Sequence, residues 1–489
     1  MNIKHRLIVL NFLQYAIWGS YLTSMGTYLA GIGLASKIGL FYAMQGIVSL
    51  FMPALMGIVA DRWIQAQRLL GYCHLLATGF MAAAGVYALS VPQAEFAALF
   101  TLYACSVAFY MPTIALSNSV AYNALEVRGL DPEITFPPIR IWGTIGFIAA
   151  MWCCDIAGFQ STPYQFLQCA ALGLVMGFYS MTMPACEIRR SDDKASLVDA
   201  LGLKAFALFK EKRMALFFIF SMLLGVSLQI TNGFANPFIS AFGGIAEYAD
   251  TFGVQHANIL ISLSQTSEAL CILLIPFCLK RFGIKNVMLM AMLAWVFRFG
   301  LFGLGNPGPG VWMFILSMIV YGVAFDFFNV SGSLFVNRET DENIRSSAQG
   351  LFMMMTNGLG ATIGTLGAQA VVNRFVYDTG AQGSEMMQGW STSWLIFAAY
   401  ALVVTVAFAL FGIDSATGMA VVMVYRGIVF WLPFLVGAVV IQRMKAFVGK
   451  GNGRADGAKG PDGSAKGTGK ASLPATQPPA KSRSEAAVA

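Results

Sequence analysis

"VWMFILSMIVYGVAFDFFNVSGSLFV", residues 311–336, carries one charged side chain, Asp326. A stretch this long and apolar cannot serve as the surface helix of a soluble domain, whose outer face needs a charge at nearly every turn. It does suit a bilayer, where about 20 apolar residues cross roughly 30 Å of hydrocarbon and every amide is bonded inside its own helix. The fold therefore depends on how often the pattern returns. It returns at 7–29, 38–60, 69–91, 95–119, 139–158, 165–185, 214–241, 256–278, 285–304, 345–372 and 393–413. Over the whole chain of 489 residues, 57% are hydrophobic and 11% charged, against roughly 25% charged in an ordinary soluble domain.

The reading is an all-α membrane protein with twelve transmembrane helices. The first span follows Lys4 and Arg6 but ends on no small-residue cleavage site, so it is expected to remain as a helix. Positive residues stay on the cytoplasmic side. With the N-terminus inside, the cytoplasmic segments hold Lys4, Arg6, Arg62, Arg68, Arg128, the cluster between 186 and 213, Lys280, Arg281, Lys285, Arg338 and Arg345. The opposite loops hold Lys37 and Arg374. The expected setting is a multi-pass protein of the cell inner membrane with a cytoplasmic N-terminus.

The longest polar interruption before residue 413 lies at 186–213. It divides a six-helix bundle at 1–185 from a second at 214–413, and its "LVDALGLKAFALFKEKR" reads as a surface amphipathic helix. An extra apolar segment at 414–449 is interrupted by Arg426 and Pro433. As a thirteenth span it would place the basic tail outside, so a re-entrant or interfacial segment is expected. Residues 450–489, rich in Gly, Lys, Ala, Ser and Pro, are expected to be disordered and to touch anionic membrane lipid. Residues 442–489 hold nine Lys or Arg against three acids and so carry most of the net charge of +7, which removes any argument for a nucleic-acid partner. The eight cysteines lie in or beside apolar spans without metal-ligand spacing, so no metal and no cofactor is expected.

Ionisable and amide side chains inside spans are expensive and usually face a cavity or a partner helix. Span five places Arg140, Thr144 and Phe147 on one helical face, and span seven does the same with Gln229, Asn232 and Asn236. Span eight pairs Gln265 with Glu268, while span ten holds Tyr321, Phe325, Asp326 and Asn329. Together they offer a cation, two acids, amides and rings, which suits a polar molecule with a flat apolar part, such as an aromatic heterocycle on a sugar. A phosphate would want more cations and a glycine-rich cradle. The competing reading is that these groups only bridge helices, at about 1 kcal/mol each. Arg298 and Asp155, near span ends, read as packing groups and His256 as a polar cap. Gln14 and Trp18 share a face of span one and could line a cavity. No nucleophile with its base, metal cluster or phosphate loop appears, so an enzyme is not expected.

Several stretches resemble a known family: "FMPALMGIVADRW" at 51–63, "FPPIRIWGTIGFI" at 136–148, "ALFFIFSMLLG" at 215–225, "LQITN" at 228–232, "SMIVYGVAFDFFNVSGS" at 317–333 and "SSAQGLFMMMTNG" at 346–358. They are similar to the bacterial nucleoside:proton symporters, the nucleoside and xanthosine permease type of the major facilitator superfamily. The resemblance runs from residue 2 to residue 412 and stops before the tail. It implies the major facilitator fold, with pyrimidine and purine nucleosides bound midway between the halves by Arg140, Thr144, Phe147, Gln229, Asn232, Gln265, Glu268, Tyr321, Phe325 and Asp326. It also implies proton-coupled nucleoside uptake by alternating access; for that coupling Asp326 or Glu268 is expected to carry the proton, and a monomer is expected. Asp61 and Arg62, in "GIVADRW", match the gating loop shared by facilitators generally. A facilitator for another sugar-like substrate and a non-transporting nucleoside sensor are the rival readings.

Overall fold

The computed structural model describes residues 2–186 and 203–412. The extra apolar segment, the basic tail and the first part of the linker lie outside the described residues. Everything described outside the loops is helical. The principal helices are α1 (Ile3–Gly19), α2 (Met25–Gly31), α3 (Ile38–Ser49), α4 (Met52–Arg62), α5 (Ala66–Ser90), α6 (Phe96–Glu126), α7 (Pro132–Ile156) and α8 (Tyr164–Met181). They continue with α9 (Lys212–Ala241), α10 (Phe252–Gln255), α11 (Ala257–Leu304), α12 (Val311–Glu339), α13 (Glu342–Met353), α14 (Ala361–Val372) and α15 (Gly383–Gly412).

Among the described residues seven helices are long and apolar enough to cross a membrane, or eight if the pair Ala35–Ser49 and Met52–Ala60, bent by 41°, is one span. Several expected spans are not single straight helices. Span one breaks between α1 and α2, and span eleven is α13 and α14 joined by a π-helical stretch at Met354–Gly360. Spans eight and nine join in α11, but Gly283 interrupts it with φ 75° and ψ 166°, backbone that only glycine adopts freely. Beyond that point Arg298 reaches the Ser264 hydroxyl at 3.3 Å, so the chain doubles back as a hairpin. The described part of the linker, Leu203–Lys210, is a 3-10 turn with Ala205 and Leu208 buried, running almost directly into α9. The first part of the expected amphipathic helix, residues 197–202, lies outside the described residues; in the described part Phe206, Ala207 and Lys210 are exposed opposite Ala205 and Leu208.

Helix pairing follows from small residues and rings. Phe217 packs on Phe335 at 4.7 Å and Phe238 on Phe314 at 5.6 Å between ring centroids, which makes α9 and α12 antiparallel. α1 and α7 cross where Gly19 faces the Phe147 carbonyl and Gly146 faces the Phe12 carbonyl. A methyl group at either glycine would collide with backbone, so this crossing, beside the candidate residues of α7, requires glycine. First-half helices also meet second-half helices: α2 packs on α9, α3 on α14 and α7 on α11.

Candidate functional site

Three charges stand closest to the expected chemistry, each on a different helix. Arg140 on α7 is half-buried, its guanidinium 3.9 Å from the centroid of the Tyr15 ring on α1. Glu268 on α11 and Asp326 on α12 are near enough to feel Arg140, and Asp326 also feels Glu268. Asp326 is 5% exposed, and its Oδ2 has no hydrogen-bond partner among the described residues. The same holds for Oε1 of buried Gln265, one turn before Glu268. Such orphaned acceptors cost free energy unless something else satisfies them.

The apolar part lies on the same helices. Tyr321 and Phe325 stack one turn apart on α12, with centroids 5.7 Å apart and ring planes 8° from parallel. On α7, buried Phe147 meets Trp18 edge-on at 6.4 Å, with half-buried Thr144 one turn from Arg140. On α9, Asn232 donates to the Gln229 side-chain oxygen at 2.7 Å, so these two amides act as a pair. Gly322, beside Tyr321, faces the Ser267 carbonyl, and that close approach brings α12 against α11 next to Glu268.

Other candidates are placed differently. Asn236, though on the α9 stripe, accepts from the Thr27 hydroxyl and donates to Asn258 at 2.8 Å, which Thr23 also bonds at 2.9 Å. It belongs to a polar seam between the halves. Asn329 donates to the Phe325 carbonyl of its own helix. Gln14 does not line a cavity: it bonds Thr113 at 2.8 Å and His74 at 2.9 Å inside the first bundle. Trp18 does lie beside Phe147. Asp61 and Arg62 end α4, where the Asp61 side chain lies outside the described residues.

Two residues that sequence reasoning set aside do more than pack. Arg298 is 2% exposed and its guanidinium lies 4.3 Å from the Tyr321 centroid, while it donates to the Ser317 carbonyl at 3.0 Å. It therefore backs the ring that stacks on Phe325. A cation inside an apolar run was the available signal, masked by the position of Arg298 near a span end. Asp155, at the end of α7, accepts from the backbone N–H of Asn258 and Ile259 at 3.1 and 3.2 Å and holds His256 Nδ1 at 2.6 Å. It caps α11 from the other half of the molecule.

A family profile described as "Nucleoside H+ symporter" matches residues 1–416. Two proteins of Escherichia coli (strain K12) are each 46% identical to the chain. One is a xanthosine permease, over 411 residues that cover 83% of this chain and 95% of the relative. The other is nucleoside permease NupG, over 414 residues with the same coverage. A crystal structure of nucleoside transporter NupG matches with a TM-score of 0.76 and 45% identity, covering 85% of this chain and 100% of that one. These relatives are transporters, not enzymes, and the chain belongs to the nucleoside H+ symporter family.

Proposed function

We propose that the protein imports pyrimidine and purine nucleosides with protons across the inner membrane by alternating access. In this reading twelve spans form two bundles, 1–185 and 214–413, with a cytoplasmic N-terminus and linker. The ten residues Arg140, Thr144, Phe147, Gln229, Asn232, Gln265, Glu268, Tyr321, Phe325 and Asp326 form the substrate site between them. What supports it is that Arg140, Glu268 and Asp326, carried on three helices, feel one another's charge, and that Asp326 Oδ2 and Gln265 Oε1 are buried without a hydrogen-bond partner among the described residues. Amides and acids would bond the ribose hydroxyls and the base edge, while Phe147, Tyr321 and Phe325 would pack on the base. Such a site rejects analogues lacking a hydroxyl, because its own buried groups would then be unpaired.

Coupling follows from charge. A nucleoside is neutral, and the triad with both acids ionised carries one net negative charge. One proton on Asp326 or Glu268 brings it to zero, which lowers the desolvation cost of closing the site. Asp61 and Arg62 would act at the cytoplasmic gate.

Uptake of radiolabelled uridine into cells lacking their own nucleoside carriers tests the reading. Uptake should be competed by adenosine and should collapse with a protonophore. Protonophore-resistant uptake would remove the coupling role of the acids. No uptake from protein demonstrated in the membrane would overturn the substrate assignment.

A further inference from the structure

A cavity of about 370 Å³ lies away from the substrate site, where the start of α9, the turn after Gly283, the end of α12 and the last turns of α15 come together. Its walls are apolar, with Phe217, Phe335 and Phe408 prominent, and its charged lining residues are Lys212, Arg213 and Lys285. Arg213 is engaged, bonding Glu339 at 2.8 Å and lying 5.3 Å from the Phe335 centroid. Lys212 and Lys285 are exposed and have no carboxylate partner among the described residues.

We infer that this cavity is a binding site for an anionic phospholipid, with an acyl chain against the phenylalanines and the phosphodiester on Lys212 and Lys285. Two features select that ligand class. A soluble anion would use the lysines and leave the apolar wall wet, while an uncharged acyl chain would leave two neighbouring cations unneutralised. Only an amphiphile with a negative head satisfies both, and basic pockets between spans on the cytoplasmic side suit such headgroups. The site is independent of how the nucleoside is bound. It would make the second bundle sensitive to the lipid composition of its leaflet, because its four walls come from four separate helical segments.

Native mass spectrometry of the full chain tests this, with phosphatidylglycerol and phosphatidylethanolamine of identical acyl chains as probes. The wild-type protein should retain one phosphatidylglycerol in preference to phosphatidylethanolamine. The exposed substitutions Lys212→Gln and Lys285→Gln should lower phosphatidylglycerol retention about fivefold each and leave phosphatidylethanolamine unchanged. Leu216→Trp, which fills the cavity, should lower retention of both lipids. Equal retention of the two lipids by the wild type, or retention of phosphatidylglycerol unaltered in the double lysine variant, overturns the inference. So does a wild-type protein that retains neither lipid.

Discussion

Asp326 is nearly fully buried, feels the charges of Glu268 and Arg140, and leaves Oδ2 without a hydrogen-bond partner among the described residues. A carboxylate so placed is costly while ionised and unpaired, and loses that cost on taking a proton. Asparagine has nearly the same shape and no titration. Asp326→Asn should therefore keep nucleoside binding and exchange while abolishing uphill accumulation, measured in vesicles by counterflow against pH-driven uptake. Accumulation that persists with an unchanged pH profile would move the coupling role to Glu268. The triad was legible in the sequence because an ionisable residue stands out in an apolar run and the spacing fixes its helical face. What spacing cannot give is the partner opposite. Gln14 has the right face and is consumed by Thr113 and His74, while Arg298, placed near a span end, reaches inward to Tyr321.

Helix ends and breaks carry the contacts between halves. The interruption between α1 and α2 contains no proline, and nothing local in "SYLTS" at 20–24 demands it. Its bonds are distant: Thr23 to Asn258, Ser24 to Gln165 at 3.0 Å and, just beyond, Thr27 to Asn236. That is why the sequence pattern shows one continuous span there. The Gly283 turn, by contrast, was legible as a polar gap between two apolar runs. Asp155 closes the same seam by capping α11 and pairing with His256, and capping bonds of this type are worth about 1–2 kcal/mol. Asp155→Ala should lower the thermal midpoint and raise the accessibility of Cys154, which lies buried beside the seam and bonds Ser24. Labelling of Cys154 by a membrane-impermeant maleimide reads the second effect. Unchanged labelling together with a lower midpoint would make Asp155 a stabilising cap and nothing more.

At the scale of the molecule, the proposed charge balance fixes how the membrane potential acts. If one proton neutralises the Arg140, Glu268 and Asp326 triad and the substrate is neutral, each cycle moves one net positive charge inward. A unit charge crossing the membrane is worth about 2.3 kcal/mol per 100 mV, so roughly 60 mV corresponds to a tenfold gradient. Proteoliposomes at equal internal and external pH, given an inside-negative potassium diffusion potential, should accumulate uridine about tenfold for each 60 mV. The slope is diagnostic. A hundredfold response to the same potential would mean two protons per nucleoside, and the triad could not then be the whole coupling machinery. No response to potential, with uptake still driven by a pH gradient, would require a compensating charge movement within the protein. Arg140 is the cation that both acids feel among the described residues and is half-exposed, so it would be the group to follow, by measuring the same slope in Arg140→Lys, where the charge is kept and the planar contact with Tyr15 is lost.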